Sequence, residues 1–406
     1  MRALLIAFLA LGPSQAGKSA KAVDTDWNQY RGPKRDGLSP DTGLLQQWPS
    51  GGPPLAWKAT GVGTGYSSVC VSKGRVYTMG EADGSYNLYC LNAADGKVVW
   101  ASKIAKSGDV PYPGSRSTPA TDGTVVVALS PLGDLVCVQA ATGREVWRKS
   151  FDGPRPNWGF SESPLIDGPL VVVTPGGGSG TVAAYNKTNG ALVWRSGELK
   201  DPAAYASIVP IEIGKIPQYL VFTADSVAGI VAKTGRVAWR AERKGQTAVI
   251  PTPVYKDGIV FVASGYNVGC NGFQVALTGG TFRVQEIYKS RDMVNHHGGF
   301  VVVGDHVYGT DERALKCLEL KTGKVVWENN CVGKGSVAFA DGHLVVRSER
   351  GPIAWVRATP EGYKEAGRFD QPDRSGKEAW PHPVVFGGRL YIRDQDTLLC
   401  FNVSAK

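Results

Sequence analysis

The sequence predicts an all-β protein, an eight-bladed β-propeller with four antiparallel strands in each blade. The composition favours this class, because 52 of the 406 residues are Gly and the chain has 11 Trp and 15 Tyr. Such numbers are typical of many tight turns and aromatic-rich strands. A bulky aromatic residue also ends a series of similar segments, at intervals of 39 to 49 residues. That interval matches the length of a four-stranded propeller blade.

The repeated segment defines the elements of each blade. An apolar run is followed by a Gly turn and a β-branched run, as in "ATDGTVVVAL", which is a strong hairpin pattern. A third strand, a Thr-Gly or Asp-Gly turn and a strand ending in an aromatic residue complete the unit, as in "ATGREVW". We name these strands a to d, from the channel to the rim. The eight terminal aromatic residues are Trp57, Trp100, Trp147, Trp194, Trp239, Tyr288, Trp327 and Phe369.

The two ends of the repeat region predict how the ring closes. The last segment, "HPVVFGGRLYIRDQDTLLCFNV", has strands a to c without a strand d, whereas "PPLAWKA" around Trp57 is a strand d without a blade. The N-terminal strand is therefore expected to complete the last blade and remove an exposed sheet edge. We predict a single propeller domain over residues 53–404, preceded by an irregular lead-in over residues 17–52 that lies over one face.

Residues 1–16 have the pattern of a signal peptide. Arg2 supplies the positive charge, "ALLIAFLALG" is a short apolar region, and "SQA" before Gly17 is a small-residue cleavage site. Ten apolar residues are too few to span a bilayer, and no later stretch is long and apolar enough. No Cys follows the apolar region as a lipid anchor. The protein is thus expected to be exported, either periplasmic or secreted, with no membrane span.

The charge pattern bears on the kind of partner. The formal net charge is +9, but Lys and Arg are dispersed among turns and form no block. Nucleic acid is therefore not expected as a partner. A mildly basic surface suits an anionic or polyhydroxylated small molecule or a glycan, and a protein partner is also compatible. We expect a monomer.

The seven cysteines are predicted to be free thiols. Cys90, Cys137, Cys317 and Cys400 occupy the same position in strand c of four blades, where other blades place Ala183 and Gly229. A position that accepts Cys, Ala or Gly is a small packed site, and equivalent positions in different blades lie too far apart for a disulfide. Cys270 is expected in a b–c loop.

Polar residues near the start of each strand a predict a site at one mouth of the channel. Function commonly resides on such loops over a rigid scaffold. Charged groups there must be hydrated, paired or used on a ligand, so a binding site and a structural polar plug both remain open. Arg116, Glu162, His297, Lys334 and His382 are expected to converge from five blades. The candidate binding residues are Tyr66, Arg116, Trp158, Glu162, His296, His297, Lys334, Trp380 and His382.

The same region supplies candidates for catalysis but no metal site. Glu162, His297, His382 and Asp394 are the candidate catalytic residues, without an assigned reaction. Adjacent residues of a strand point to opposite faces, so His296 and His297 would share a metal only at a bulge. The usual spacings of zinc ligands are absent, and no metal ligand is assigned.

The segments "LNAADGKVVW", "VQAATGREVW" and "LELKTGKVVW" resemble the tryptophan-docking repeats of PQQ-like β-propellers. The resemblance covers about residues 53 to 403. The lead-in "WNQYRGPKRDG" is similar to that of exported bacterial PQQ-like repeat proteins. The resemblance implies the fold, and it leaves the activity open because branches of this superfamily differ in function.

Two branches provide alternatives. Quinoprotein dehydrogenases oxidise alcohols or sugars with PQQ and a divalent cation such as Ca²⁺. That resemblance would imply that Arg116 or Lys334 holds cofactor carboxylates, Trp158 or Trp380 stacks on a ring, and Glu162 or Asp394 acts as base. This chain lacks the adjacent Cys-Cys pair and a clear Glu–Asn–Asp cation set of that branch.

The second branch comprises the scaffold propellers of outer-membrane barrel assembly, which bind no cofactor. This chain lacks their lipid-anchor Cys and places more charge at the channel mouth. The sequence favours an exported propeller that binds a ligand or partner at that mouth. A PQQ-dependent oxidoreductase and an assembly scaffold remain the alternatives.

Overall fold

The computed structural model describes residues 26–405 and is an eight-bladed β-propeller, as the repeat predicts. Every blade is a four-stranded sheet whose neighbouring strands are antiparallel. The predicted signal peptide, residues 1–16, lies outside the described residues. Within residues 26–405 the chain forms strands and turns, and it has no helix long and apolar enough to cross a membrane.

The first four blades follow the chain in order, with strand a innermost. Blade 1 comprises β2 (Cys70–Ser72), β3 (Arg75–Ala82), β4 (Ser85–Asn92) and β5 (Val98–Lys106). Blade 2 comprises β6 (Ala120–Thr121), β7 (Val125–Leu129), β8 (Asp134–Gln139) and β9 (Glu145–Ser150). Blade 3 comprises β10 (Leu165–Asp167), β11 (Leu170–Val173), β12 (Ala183–Asn186) and β13 (Leu192–Arg195). Blade 4 comprises β14 (Val209–Ile213), β15 (Ile216–Phe222), β16 (Ser226–Val231) and β17 (Val237–Glu242).

The remaining blades continue the same order until the ring closes. Blade 5 comprises β18 (Val254–Lys256), β19 (Ile259–Ser264), β20 (Gly269–Thr278) and β21 (Thr281–Ser290). Blade 6 comprises β22 (Phe300–Val303), β23 (His306–Thr310), β24 (Leu315–Glu319) and β25 (Val325–Asn329). Blade 7 comprises β26 (Gly335–Ala340), β27 (His343–Ser348), β28 (Ile353–Arg357) and β29 (Glu365–Phe369). Blade 8 comprises β30 (Val384–Phe386), β31 (Arg389–Asp394), β32 (Thr397–Asn402) and β1 (Leu55–Ala59).

The N-terminal strand closes the ring, which confirms the prediction from the two incomplete segments. Strand β1 pairs antiparallel with β32, and Trp57 lies opposite Cys400. Trp57 is buried in one cluster with Tyr391 of blade 8 and Tyr89 of blade 1. The first strand therefore joins the end of the chain to the first complete blade.

The repeated aromatic residue fastens each blade to the next. The Trp57 indole packs on Gly96, at the c–d turn of blade 1, and its Nε1 donates a hydrogen bond to the carbonyl oxygen of Ala93 at 3.0 Å. A Cβ added at Gly96 would lie 2.5 Å from Cε3 of Trp57, so the turn requires Gly there. The same packing joins Trp100 to Gly143, Trp147 to Gly190, Trp194 to Gly235 and Tyr288 to Gly323.

Blade 7 uses a different arrangement. Trp355 lies on strand c opposite Gly367 on strand d, so the large and small residues have exchanged strands. The lead-in supplies Trp48, whose ring stacks on Trp355 with centroids 5.2 Å apart. Phe369, predicted as the terminal aromatic of this blade, packs edge-on against the same Trp48 ring.

The cysteines are all free thiols, and six of the seven are buried. Cys90, Cys137 and Cys317 lie opposite the terminal Trp of their own blades, as Cys400 does opposite Trp57. In blade 3 this position belongs to Ala184, which pairs with Trp194, and the assignment of Ala183 was wrong by one residue. Cys270 lies inside strand β20, because that strand begins earlier than the loop prediction assumed.

The described part of the lead-in, residues 26–52, crosses the face that carries the a–b turns. It forms isolated bridges from Trp27 to Val71 and from Leu38 to Phe339. Two buried cations, Arg31 and Arg35, anchor it. Arg35 donates to the carbonyl oxygens of Ser163 and Pro164, and Arg31 donates to that of Phe300. The segment thereby closes the channel from the face opposite the predicted site.

Candidate functional site

A cavity of about 180 Å³ lies at the channel mouth where the strands a begin. That volume has room for roughly six waters. Its wall comes from the connections that precede strand a, from b–c loops and from the lead-in. Aromatic rings dominate the wall, supplied by Tyr30, Tyr66, Tyr112, Trp158, Tyr205, Tyr266 and Trp380.

Most of the residues that the sequence singled out line this cavity. Seven of the nine candidate binding residues do so, namely Tyr66, Arg116, Trp158, His296, His297, Trp380 and His382. Glu162 and Lys334 do not line it. Tyr30, Tyr112, Tyr205 and Tyr266 were not among the candidates. Tyr30 belongs to the lead-in, and its place in the cavity depends on how that segment enters the channel.

Trp380 is the centre of an aromatic cluster. Its ring centroid lies 4.4 Å from that of Tyr66 and 5.1 Å from that of Tyr112. On the other side of the cavity Trp158 packs edge-on against Tyr205, with centroids 5.8 Å apart. The cavity therefore has two indole rings, each held in place by a neighbouring phenol.

His297 lines the cavity without a hydrogen-bond partner for its side chain in the part of the chain that the structure describes. Its side chain is 5% exposed, and neither ring nitrogen has a hydrogen-bond partner among the described residues. Burial and the neighbouring His296, Lys334 and His382 hold its pKa well below the ordinary value, so the ring is neutral. A neutral imidazole offers one donor and one acceptor. A buried group of this kind requires a water or a ligand to satisfy it.

The other two histidines of the cavity are also neutral but have partners. His382 Nε2 lies 3.3 Å from the Tyr30 hydroxyl and 3.2 Å from the carbonyl oxygen of His297. Burial is the main cause that lowers the pKa of His382 to about 3. His296 Nε2 lies 3.0 Å from the Tyr266 hydroxyl, and burial lowers its pKa to about 4.

Glu349 supports the cavity from behind the Trp380 ring. It accepts a hydrogen bond from Trp380 Nε1 at 2.7 Å, and the Lys334 ammonium lies 3.5 Å from the same carboxylate oxygen. The carboxylate is 4.0 Å from Nδ1 of His297, which forms no ion pair with it because that ring is neutral. Lys334 is thus occupied outside the cavity, where it neutralises Glu349.

Arg116 is the one cation among the described residues that line the cavity. Its guanidinium donates to the carbonyl oxygens of Trp158 and Tyr112, both at 2.7 Å, and to that of Pro111. It also lies 5.9 Å from the centre of the Tyr66 ring. Burial lowers its pKa, with nearby tyrosines as the opposing influence. Arg116 therefore fixes two loops of the wall and adds positive charge to it.

Two of the candidate acids are internal. Glu162 is buried beneath the wall and accepts hydrogen bonds from the backbone N–H and hydroxyl of Thr174. Burial raises its pKa to about 7, although the hydrogen bonds from Thr174 act to lower it. Ser161 and Ser163 line the cavity, and the alternation of side chains along an extended segment turns Glu162 away. The expected convergence thus brings Arg116, His297 and His382 together at the cavity.

Asp394 is also buried and paired within the protein. It accepts hydrogen bonds from Gln371 Nε2 at 2.8 Å and from Ser375, and Arg374 lies 3.8 Å away. Its carboxylate oxygens are therefore occupied by side chains of the loop that precedes blade 8. Like Glu162, Asp394 does not line the cavity.

The wall does not fit PQQ held through a divalent cation. The cavity residues, which all fall within residues 26–405, include no Asp or Glu that could ligate a hard cation. No three His, Cys, Asp or Glu side chains of that described range form a metal-like cluster. Arg116, the cation available for cofactor carboxylates, already donates to three carbonyl groups.

Comparison with curated proteins gives distant relatives. Tetrathionate hydrolase of Acidithiobacillus ferrooxidans is 23% identical over 337 residues, which cover 76% of this chain and 54% of the hydrolase. The outer membrane protein assembly factor BamB of Yersinia pestis is 24% identical over 313 residues, covering 75% and 64% of the two chains. BamB of Escherichia coli is 24% identical over 342 residues, covering 70% and 83%. The chain spans little more than half the length of the hydrolase.

Solved structures show the same fold. BamB from Moraxella catarrhalis superposes with a TM-score of 0.61 at 18% identity, covering 85% of this chain and 97% of the other. Quinohemoprotein alcohol dehydrogenase from Comamonas testosteroni gives 0.66 at 12% identity, covering 94% and 81%. The sequence profile of the family described as outer membrane protein assembly factor BamB matches residues 84–329 and 274–381. Since that match covers well over half of the chain, the protein belongs to this family of PQQ-like β-propellers.

Proposed function

We propose that the protein is an exported binding propeller that holds a sugar ring, neutral or acidic, in the aromatic cavity at its channel mouth. The observation that carries the proposal is His297, a buried imidazole at the cavity wall whose two ring nitrogens lack partners among the described residues. Sugar hydroxyls both donate and accept hydrogen bonds, so they match a neutral imidazole.

The aromatic wall supports a ring-shaped ligand. Trp158 and Trp380 provide large apolar surfaces, and binding pockets of this kind combine such surfaces with a few polar groups that set orientation. The C–H groups of a sugar would pack on the indoles while its hydroxyls reach His297 and the serines of the wall. The serine and threonine side chains in the wall are Ser68, Thr118, Ser161, Ser163 and Ser207.

The charge of the wall supports a neutral or anionic sugar over a cationic ligand. Arg116 contributes a positive charge, and the wall, within residues 26–405, has no carboxylate to balance it. A ligand carboxylate would be attracted, whereas an ammonium group would lose hydration without an ionic partner. The buried acids Glu162 and Asp394 do not reach the cavity, so the proposal includes no reaction.

Calorimetric titration of the full chain with methyl glucoside and with glucuronic acid tests the proposal. His297→Phe keeps a ring but removes both nitrogens, and the matched control is His306→Phe on β23, away from the cavity. A buried hydrogen bond contributes about 1–1.5 kcal/mol, so we expect about tenfold weaker binding by the first variant and unchanged binding by the control. If neither sugar binds the parent protein, or both variants bind alike, the proposal is wrong.

Export is part of the proposal and has its own test. Its support is the leader pattern of residues 1–16 together with relatives that are named outer membrane assembly factors. We expect the mature protein, recovered from cells that make it, to begin at Gly17 and to be found outside the cytoplasm. N-terminal sequencing of fractionated cells measures both, and an intact Met1 in the cytoplasmic fraction would contradict export.

A second candidate function is that of a protein-docking scaffold, which the outer rim favours. Strands d expose paired aliphatic side chains, and Leu192 and Val193 are 55% and 51% exposed. Such apolar groups on a strand edge suit contact with another protein. A photo-crosslinking residue placed at Leu192 should capture one defined protein, and the same residue at Lys34, exposed on the lead-in, should not. Equal labelling from both positions would exclude a rim interface.

A further inference from the structure

A second cavity, of about 360 Å³, adjoins the first. The two cavities share Tyr205 in their walls. The segment 154–158 contributes Trp158 to the first cavity and its other residues to the second. The segment 245–250 likewise contributes to both. The two cavities therefore lie side by side with Tyr205 in the wall of both, and we call them together the groove.

Tyr205 is fixed between the two walls of this groove. Its backbone N–H donates to the carbonyl oxygen of Val249 at 3.0 Å. Its hydroxyl accepts from the backbone N–H of Trp158 at 3.4 Å, and its ring packs against the Trp158 indole. Both segments that form the groove are thus tied to the residue that divides it. A ligand that extends from one cavity to the other must pass Tyr205.

The second cavity has the chemistry of a further sugar subsite. Prolines and alanines form its apolar part, including Pro156, Pro202 and Ala203. The exposed side chains at its rim are Arg155, Asn157, Gln246 and Thr247. These groups supply amide, hydroxyl and guanidinium donors, and the residues of the described chain that line this cavity include no carboxylate. Arg155 would favour a negatively charged unit.

We propose that the two cavities together bind an acidic oligosaccharide, with one sugar unit in the aromatic cavity and the next beyond Tyr205 near Arg155. This inference rests on the proposed function, because the first unit occupies the site described above. It adds that the ligand is a chain and that its acidic groups are recognised at the second cavity. A linked second unit binds without a second loss of translational freedom, so affinity should rise with chain length.

Titration of the full chain with galacturonic acid and with its tetramer tests this inference. We expect the tetramer to bind at least tenfold more tightly than the monomer. Arg155→Gln together with Gln246→Ala should remove most of that gain and leave monomer binding unchanged. The matched control is Arg144→Gln, which removes the same charge from an exposed turn between strands c and d of blade 2. The control should retain the full gain.

The outcomes separate the groove from the central site. If the monomer binds and the tetramer binds no more tightly, the groove is refuted while the sugar site stands. If the double variant weakens monomer and tetramer equally, the second cavity is not a separate subsite and the inference is wrong. If neither binds while methyl glucoside or glucuronic acid does, the groove is refuted and the central site stands; if none of these sugars binds, both proposals fail. Tighter binding of tetraglutamate than of the tetramer would overturn the assignment to a saccharide.

Discussion

Substitution of Gly96 by Ala tests whether aromatic docking holds the ring closed. Gly96 has φ of +72°, and an added Cβ would lie 2.5 Å from Cε3 of the Trp57 ring. Ordinary contacts between such carbons exceed 3.4 Å, so the indole must move by about 1 Å. That movement would stretch the hydrogen bond from Trp57 Nε1 to Ala93, which is 3.0 Å long. Overpacking of this kind typically costs about 1–3 kcal/mol.

Gly74 provides the matched control for the conformational part of the effect. It also has φ of +72°, and nothing lies within 4 Å of an added Cβ. Gly74→Ala should therefore cost only the left-handed strain, about 1–2 kcal/mol. Gly96→Ala should cost that amount plus the displacement of Trp57, about 2–5 kcal/mol in total. The two turns lie in the same blade, which makes the comparison direct.

Urea unfolding followed by tryptophan fluorescence measures the difference. With a slope of about 3 kcal/mol per M, the Gly96→Ala midpoint should fall about 0.3–1 M below that of Gly74→Ala. In a Trp57→Leu background the two glycine substitutions should become nearly equal, because the clashing ring is gone. Equal midpoints in the parent background would show that packing of Trp57 on Gly96, where blade 8 meets blade 1, does not contribute to stability. We call this junction of blades 8 and 1 the seam.

Three other predictions concern buried groups. Arg35→Met should lower stability by about 2–5 kcal/mol, because the carbonyls of Ser163 and Pro164 lose their donor; an unchanged urea midpoint would show that the Arg35 anchor contributes nothing. Burial raises the pKa of Glu162 from 4.5 to about 7, so the folded state favours the protonated carboxyl. The contribution of this group to folding stability is therefore complete below pH 4.5 and is lost as pH rises through 7. Glu162→Gln should flatten the dependence of stability on pH between pH 4.5 and 7 by up to about 3 kcal/mol. A variant profile parallel to that of the parent would contradict the burial of Glu162. The strand-c thiols should react with a thiol reagent only after denaturation, and labelling of the native protein would contradict their burial. These thiols are Cys90, Cys137, Cys317 and Cys400.

The regular part of the fold could be predicted because the repeated residues make the same contact in most blades, an aromatic ring packed on a Gly of the next blade. A Gly in the c–d turn and an aromatic residue at the end of strand d are both needed where one blade meets the next, so their spacing marks the blades. Blade 7 is less visible in the sequence because Trp355 and Gly367 have exchanged strands. Their packing partner, Trp48, lies more than 300 residues away, and no local pattern connects it to them.

The sequence indicated a region of the fold for the candidate site, but it did not give the directions of the side chains there. The start of each strand a pointed to the mouth where the structure places the aromatic cavity, since those positions surround one axis. The direction of each side chain depends on local geometry, which is why Ser161 and Ser163 face the cavity while Glu162 does not. At His296 and His297 the simple alternation fails, and both rings line the cavity. The tyrosines that complete the wall come from loops and the lead-in, where spacing carries no information.

Closure of the ring and construction of the site are linked at one place. Tyr66 precedes blade 1 and Trp380 precedes blade 8, so 314 residues separate them in sequence, yet their rings are 4.4 Å apart. They meet because strand β1 attaches the first blade to the last. The aromatic cluster around Trp380 therefore exists only in the closed ring, and a ligand stacked on it would contact both sides of the seam. Binding energy at the mouth would then stabilise the same junction that Trp57 and Gly96 hold at the opposite face, since a ligand that binds only the folded state stabilises it.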